Sequence, residues 1–311
     1  MDLIDQKIIE RLENDPRCSV SQIARSIRQS QQVVDFRLKR LQKNKVISRF
    51  ATIINLHRLG YEHLRIFFQF NAKEITNEEI FTYLQHQKNI YWTARIGGKY
   101  DLIVVLIIHT FRDYDVFMND FNARFPGLVK DVTGCQVLQH TLYRHKNFTN
   151  VHESIQYGSG EQHHEIDVLD HKILSTIKND CRFSALSLGK SLNVSYKTIQ
   201  NRIKNLEQEQ VIIGYRLFFK DITQKAFILL LSFKNYSRHD EEKLLAYCAE
   251  EECITQTLRL FGRWHLFLHI RIEDNENLQE TLIRIRDKYR IIDDYEIIPV
   301  FEDILINLLP I

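Results

Sequence analysis

Apolar residues in the first fifty positions recur at helical spacing in three short segments. The first segment places four of them on one helix face: Ile4, Ile8, Ile9 and Leu12. Ser19 and Gln22 have the spacing of a capping box, which predicts the start of a second helix. Ser30 precedes a third segment, in which Val34 and Leu38 fall on the same side. Two helices, a tight turn and a third helix predict a helix-turn-helix.

The pattern then changes to β-branched and aromatic runs, which predict strands. In the first half these runs are Arg49–Leu56, His63–Phe70, Tyr100–Ile108 and Gly134–Leu142. Helical stretches at 77–87 and 114–124 lie among them, and we interpret the order as β-α-β-β-α-β. That order is ferredoxin-like, with helices on one face of a sheet. The other face is rich in apolar residues, which predicts that a partner sheet covers it.

The chain is an internal duplication. A shift of 165 residues aligns Leu3–Phe50 with Val168–Tyr215 at 14 identical positions of 48, and a shift of 164 aligns Ile90–Leu102 with Ile254–Leu266. Residues 147–166 are polar, contain Gly-Ser-Gly and show no sustained period, so they predict a linker. The predicted domains are therefore a helix-turn-helix at 1–50, a ferredoxin-like domain at 51–146, the linker, a second helix-turn-helix at 167–215 and a second ferredoxin-like domain at 216–311. The fold class is α+β.

Charge is unevenly distributed, although the net charge is only +2. Residues 1–50 hold 11 Lys and Arg against 6 Asp and Glu, and residues 168–215 hold 7 against 4. On the third helix of each copy the apolar core face is kept, while the outward face changes. That face reads Gln32, Asp35, Phe36, Lys39 and Lys43 in the first copy and Lys197, Gln200, Asn201, Lys204 and Gln208 in the second.

These outward faces suit a helix in a DNA major groove. Lysine and arginine meet phosphates there, and side-chain amides pair with base edges. A single basic helix face is more often simply solvated, but the same composition on two matching helices favours nucleic-acid binding. The residues predicted to contact DNA are Ser30, Gln31, Gln32, Asp35, Arg37, Lys39 and Lys43 of the first copy and Tyr196, Lys197, Gln200, Asn201, Arg202 and Lys204 of the second. Phe36 has no assigned role.

Other classes of protein find little support in the sequence. No apolar run reaches the length of a membrane helix, and the N-terminus lacks a basic-then-apolar leader, so we expect a cytoplasmic protein. The five cysteines include no CxxC pair, so we interpret them as reduced thiols and expect no metal. Phosphate-loop, HExxH and GxSxG motifs are absent, and His163 and His164 lie in the linker. We therefore expect no enzyme and no cofactor.

Several segments resemble the Lrp/AsnC family, the feast/famine regulators. The resemblance rests on DQKIIERLENDPRCSVSQIARSI, on SQQVVDFRLKRLQKNKVISRFATIINLHRLGY and on GGKYDLIVVL, which is similar to the family's Gly-x-Tyr-Asp turn. It implies a winged or trihelical helix-turn-helix followed by a βαββαβ sensor, here present twice. It also implies a regulator of transcription that binds double-stranded DNA. Sensor pairing is expected within the chain, between chains, or both.

The resemblance further implies an effector site near the Gly-x-Tyr-Asp turn, with an amino acid or similar metabolite as the ligand. The candidate residues are Gly98, Tyr100 and Asp101. Glycine lets backbone amides approach a carboxylate, and an aspartate accepts hydrogen bonds from an ammonium group. Asp101 also has the position of an ordinary turn residue that bonds to nearby backbone. The second half departs from the motif, because His265 stands where the first half has Asp101.

Two alternatives remain open at this point. Some proteins that resemble this family are sirohaem decarboxylases, which hold a tetrapyrrole between paired halves, and this chain has two halves and 13 histidines. A purely structural module, in which the sensor halves only mediate assembly, is the other. Measured DNA affinity would distinguish the regulator from the purely structural module. A Soret band with added tetrapyrrole would distinguish the decarboxylase from the regulator.

Overall fold

Both helix-turn-helix domains fold into one unit of the structure. The computed structural model describes residues 2–71, 77–144, 154–219 and 224–310. The chain divides into a first unit of Met1–Leu59, Tyr143–Ile155 and Gln162–Ile222, and a second unit of Gly60–Leu142, Gln156–Glu161 and Thr223–Ile311. We call the first the helix-turn-helix unit and the second the sensor unit.

Each helix-turn-helix has the three predicted helices followed by a strand. The first copy contains α1 (Leu3–Asn14), α2 (Val20–Ser26), α3 (Gln31–Lys43) and β1 (Ile47–Ile54), then a single 3₁₀ turn. The second copy contains α6 (Val168–Ile177), α7 (Ala185–Leu192), α8 (Tyr196–Gln208) and β7 (Ile212–Phe219). The predicted capping box is confirmed: Ser19 accepts a hydrogen bond from the Gln22 backbone, and the Gln22 side chain accepts one from the Ser19 backbone.

Strands β1 and β7 pair with each other in an antiparallel ladder, with Phe50 opposite Leu217. The assignment of Arg49–Leu56 to the sensor sheet is therefore wrong. Its β-branched residues correctly predicted a strand, but strand propensity does not identify the partner strand. The predicted domain boundaries at 50 and 215 fall inside β1 and β7, and the structure moves the first boundary to Leu59.

The sensor unit contains two βαββαβ modules. The first consists of β2 (Glu62–Phe70), α4 (Asn77–Gln85), β3 (Ile90–Ile96), β4 (Leu102–Ile108), α5 (Phe111–Arg124) and β5 (Val129–Tyr143). The second consists of β8 (Lys225–Phe233), α9 (Arg238–Glu250), β9 (Ile254–Gly262), β10 (Leu266–Ile272), α10 (Asn275–Lys288) and β11 (Ile292–Ile306). The ferredoxin-like order is confirmed, with β3 as the strand that the sequence analysis did not single out.

The two sensor sheets share both of their edges. The long strand β5 pairs with β2 through its first half and with β9 through its second half. Strand β11 does the same with β8 and β3. A core of buried residues from both modules lies between the sheets, and it includes Phe67, Val137 and Leu230. The apolar sheet face is thus covered by a partner sheet from the same chain.

The predicted linker is only partly a linker. Residues 145–153 lie outside the described part of the chain, but Ser154–Gly158 forms a further strand, β6, at the edge beside β5. The backbone N–H of Ser159 donates to the carbonyl of Leu138. The Gly-Ser-Gly composition concealed this strand, because glycine is depleted in strands. In the described ranges no helix has the length and apolar character that crossing a membrane requires.

Candidate nucleic-acid interface

The third helix of each copy exposes most of the outward face that is predicted to contact DNA. We call this face the reading face and the third helix the reading helix. On α3, Gln31, Gln32 and Lys43 are exposed, and Asp35 is half-buried. On α8 the exposed residues are Tyr196, Lys197, Gln200, Asn201 and Lys204. The opposite faces are buried as predicted, through Val34, Leu38 and Leu41 in the first copy and Ile199, Ile203 and Leu206 in the second. Each helix therefore presents a polar, amide-bearing surface outward.

The turn before each reading helix has the same backbone geometry. Arg28 and Asn193, which are 165 residues apart, both adopt a left-handed φ, of 56° and 57° respectively. After the turn, Ser30 Oγ accepts from the Val33 backbone N–H at 3.3 Å and Ser195 Oγ accepts from Thr198 at 3.0 Å. The predicted DNA contact Ser30 and the equivalent Ser195 of the second copy thus serve as N-caps in this structure.

Two predicted DNA-contact arginines hold the reading helix against the first helix of its own domain. The guanidinium of Arg37 donates to Asp2 at 2.7 Å and to Asp5 at 3.0 Å. Arg202 forms the equivalent ion pairs with Asp167 at 2.8 Å and Asp170 at 3.1 Å. These arginines position the reading helices, and a direct contact between them and DNA stays a prediction.

The pairing of charged groups on the two reading faces differs. Lys39 on α3 forms an ion pair of 2.7 Å with Asp35, one helical turn earlier. At the matching positions α8 carries Lys204 and Gln200, so no acidic side chain stands there. Phe36 on α3 is 67% exposed, whereas Asn201 takes its place on α8. The two domains present different chemistry from one scaffold.

The two helix-turn-helix domains are joined by reciprocal contacts near β1 and β7. The Arg17 guanidinium lies 4.8 Å from the Tyr215 ring centre, and the equivalent Arg182 lies 5.0 Å from the Phe50 ring centre. The backbone N–H of Cys181 also donates to the Phe50 carbonyl at 2.6 Å. Cys181 belongs to the core of the first domain.

Arg17 and Arg182 are one of the identical pairs in the alignment of the two copies. This identity was the only indication in the sequence that the two arginines matter, and it did not reveal that each contacts the opposite copy. The joint they help form fixes the position of one reading helix relative to the other.

The three candidate effector residues all have structural contacts. Tyr100 is fully buried, and its hydroxyl donates to Thr133 at 3.1 Å. Asp101 accepts from the Phe70 backbone N–H at 2.7 Å, and Gly98 has a φ of 80°. His265, at the position that matches Asp101, accepts from the Phe233 N–H at 2.8 Å. The geometry is that of a well-ordered turn, and effector binding at this turn stays a prediction.

Comparisons with known proteins identify both helix-turn-helix copies. A winged helix-turn-helix DNA-binding model matches residues 1–48, and a model of the AsnC-type helix-turn-helix domain matches residues 166–207. An uncharacterised HTH-type transcriptional regulator of Pyrococcus horikoshii, PH0140, is 27% identical over 128 residues, which are 41% of this chain and 80% of that protein. The second half of the chain therefore carries an AsnC-type helix-turn-helix domain, and the first half carries a winged helix-turn-helix.

Further comparisons cover more of the chain. HTH-type transcriptional regulator FL11 of Pyrococcus furiosus is 27% identical over 151 residues, which are 49% of this chain and 95% of that protein. The crystal structure of the siroheme decarboxylase NirDL aligns with 97% of this chain, and the aligned part is 92% of NirDL. The TM-score is 0.67 and the sequence identity is 13%. At that identity the likeness shows a common fold along nearly the whole chain.

Proposed function

We propose that this chain is a sequence-specific DNA-binding regulator of transcription of the Lrp/AsnC type. The observation that carries the proposal is the exposure of α3 and α8, with their lysine and amide side chains, on one unit held together by the β1–β7 ladder. Each exposed helix follows a tight turn, which is the arrangement in which a helix-turn-helix inserts its recognition helix into the major groove. A duplex therefore meets two recognition helices supplied by a single chain.

Each reading face divides into two kinds of contact. Lys39, Lys43 and Lys204 reach phosphates, which fix position without reading sequence. The amides of Gln32 and Asn201 pair with base edges, adenine being their usual partner. The exposed ring of Phe36 packs on a thymine methyl group, a contact that α8 cannot make because Asn201 replaces it. The two helices consequently prefer different bases.

The salt dependence of binding tests this function. Affinity for duplex selected from a random pool should fall as salt rises, with a slope of log affinity against log salt of roughly −4 to −10 if both helices engage. A combined Gln32→Ala, Lys43→Ala, Asn201→Ala and Lys204→Ala protein should lose most of the affinity. A folded wild-type protein that binds no duplex, or that binds with a flat salt response, would contradict the regulator function.

We further propose that an amino acid or similar small metabolite tunes the regulator at Gly98, Tyr100 and Asp101. The support is the turn itself, in which the Asp101 carboxylate lies at the surface with the left-handed Gly98 three residues earlier. An exposed carboxylate accepts hydrogen bonds from an ammonium group, and glycine leaves the backbone amides accessible. Effector binding is an addition to DNA binding and can fail independently of it.

We propose that the chain has no catalytic activity. Its support is the retention of two exposed reading faces, which a tetrapyrrole enzyme does not need. Titration with an iron tetrapyrrole tests the alternative: we expect no shifted Soret band at micromolar protein. A stoichiometric shifted band, together with loss of a carboxyl group from the tetrapyrrole, would replace the regulator by an enzyme of the decarboxylase class.

A further inference from the structure

One arginine of the sensor unit is buried between the two sheets. Arg65 lies on β2 and is only 4% exposed. Its neighbour Phe67, two residues along the strand, belongs to the core between the sheets, whereas Ile66 and Phe68 belong to the core beneath the helices. Because side chains alternate along a strand, the Arg65 side chain also points between the sheets.

The Arg65 guanidinium stacks on aromatic rings and has no anionic partner among the described residues. Its central carbon lies 4.3 Å from the Phe267 ring centre and 5.5 Å from that of Trp92. The atoms Nε and Nη1 are buried, and neither makes a hydrogen bond within the described ranges. The stacked faces are therefore occupied, while the donors Nε and Nη1 have no acceptor within the described ranges.

Polar and aromatic side chains surround this arginine in the same layer. His63 lies two residues before it on β2, and the His63 ring is 5.2 Å from Tyr91 and 6.4 Å from Tyr157. The Tyr157 hydroxyl lies 2.7 Å from Nδ1 of His140. We call Arg65, His63, Tyr91, Tyr157 and His140 the interior polar cluster. It combines one arginine with hydrogen-bonding side chains and aromatic surface.

The second sensor module does not repeat the arginine. On β4, Val105 stands opposite Arg65, and the repeat shift of 164 makes Val105 equivalent to His269 on β10. The residue opposite His269 is Ile228, which is completely buried in the same core. An apolar residue thus satisfies the packing at the equivalent position, so the fold does not require a cation at Arg65.

A buried charge without a counter-ion is costly. Burial lowers the pKa of Arg65 to about 10, which still leaves the guanidinium protonated at neutral pH. A buried ion needs an ion partner and hydrogen bonds to offset its desolvation, and here only ring stacking is provided. An unexplained cation in an interior polar cluster is therefore evidence for a ligand of opposite charge.

We propose that the interior polar cluster binds a small organic carboxylate, with its carboxylate group on the in-plane N–H groups of Arg65. The planar guanidinium fork matches a carboxylate in geometry. One arginine neutralises one negative charge, which favours a monocarboxylate over a phosphate dianion. The rings of Tyr91 and Trp92 supply surface for a compact apolar body, and the low exposure of Arg65 limits the ligand to a few heavy atoms.

The test uses the full-length protein in chloride-free buffer at fixed ionic strength. Sodium acetate, pyruvate and benzoate are titrated by calorimetry and by thermal unfolding, with sodium chloride and inorganic phosphate as competing anions. At least one carboxylate should bind one per chain and raise the melting temperature, because a ligand selective for the folded state stabilises it. Loss of a charge-assisted hydrogen bond in Arg65→Met should weaken this binding by at least about tenfold.

Two further variants separate binding from folding. Arg263→Met removes an arginine whose side chain is 53% exposed in the same unit, and it should bind the carboxylate like the wild type. Arg65→Lys keeps the charge but loses the fork, so it should also bind more weakly. The proposal is overturned if no carboxylate binds, if Arg65→Met binds as tightly as the wild type, or if chloride or phosphate binds equally well, which would indicate an adventitious ion only. DNA binding can fail without affecting any of these outcomes.

Discussion

Asp2 and Asp167 each join the first helix of a domain to its reading helix. Asp2 caps α1 through the backbone N–H of Ile4 and also accepts from Arg37. Asp167 does the same at the start of α6, with Arg202 as its partner. One carboxylate therefore caps the start of the first helix and also binds the arginine of the reading helix. This double contact couples the position of the reading helix to the folding of the whole domain.

The first prediction concerns the pH dependence of this ion pair. Hydrogen bonds and charge from Arg37 lower the pKa of Asp2 from its usual 3.8 to about 2. A carboxyl group with a lowered pKa stabilises the folded state above its unfolded pKa, near pH 4, and this contribution disappears as pH falls towards 2. Asp2→Asn retains an N-capping side chain but loses the charge. Its unfolding free energy should be lower than that of the wild type at pH 5–7.

Urea unfolding measured from pH 7 down to the acid limit of the folded state checks this expectation. The difference between the two proteins should shrink as pH falls below 4. A difference that stays constant over this range would show that Asp2 acts only as a cap. Lys234→Ala removes an exposed ion pair with Asp293 in the sensor unit. Its difference in unfolding free energy from the wild type should not show the same change below pH 4.

The second prediction concerns Asp101. If an amino-acid ammonium binds its carboxylate, free amino acids should raise the melting temperature of the wild type but not of Asp101→Ala. The variant also loses the bond from the Phe70 N–H, so its ligand-free melting temperature should fall. Asp113→Ala is the matched control, because it removes bonds to the backbone of His109 and Thr110 without touching the turn. Equal responses in all three proteins, or none in any, leave Asp101 as a structural residue.

The roles of single residues were the least predictable part of the molecule. Arg37 is predicted to contact DNA because it lies on a basic helix, and that contact stays a prediction. Its ion pairs with Asp2 and Asp5, more than thirty residues away, were not predicted. Arg65 gave no signal at all, since an arginine in a strand usually faces solvent. Both depend on which surfaces meet after folding, and helical or strand period does not specify that.

At the level of elements, the reading helices were predicted well. The caps at Ser30 and Ser195 and the buried faces of α3 and α8 follow directly from local periodicity and from side-chain hydrogen bonds to nearby backbone. The β1–β7 ladder was missed because it joins segments 165 residues apart. Local elements were therefore accessible from the sequence, whereas their long-range partners were not.

The third prediction separates phosphate contacts from base contacts on these helices. Lys43→Ala and Lys204→Ala should each weaken binding to all duplexes alike and reduce the magnitude of the salt slope by about one. Gln32→Ala should change the preferred base at one position, with a discrimination loss of about 1–3 kcal/mol. Lys234→Ala in the sensor unit is the control and should bind like the wild type. A lysine variant that changes base preference would contradict the division of roles.

For the whole molecule, the duplication predicted that two sensor sheets would meet, and the structure confirms a common core within one chain. Strands β5 and β11 each pair with strands of both sheets, and this pairing could not be predicted. The alternation of apolar and polar residues along a strand does not indicate how many sheets the strand joins. The joining of the helix-turn-helix domains is likewise reciprocal: Arg17 meets Tyr215, and Arg182 meets Phe50. Within the helix-turn-helix unit the joining contacts are thus repeated in both copies, while the reading faces differ.

The last prediction follows from that difference. A symmetric dimer presents two identical reading helices and so prefers a palindrome, with half-sites about one helical turn apart or a multiple of it. Here Gln32, Asp35 and Phe36 on α3 are replaced by Lys197, Gln200 and Asn201 on α8. Because the β1–β7 ladder and the reciprocal arginines hold both helices in one unit, the chain should bind two unlike half-sites at a fixed spacing.

Selection from random duplex followed by footprinting of single variants measures this asymmetry. The selected site should be an imperfect or non-palindromic pair of half-sites. Gln32→Ala should alter protection at one half-site and Asn201→Ala at the other, because each amide reads only the groove that its own helix enters. Exchanging the α3 face for that of α8, by Gln32→Lys, Asp35→Gln and Phe36→Asn together, should shift the preferred site towards a palindrome. A perfect palindrome selected by the wild type, or equal effects of either single variant on both half-sites, would show that two chains, and not the two halves of one, divide the operator between them.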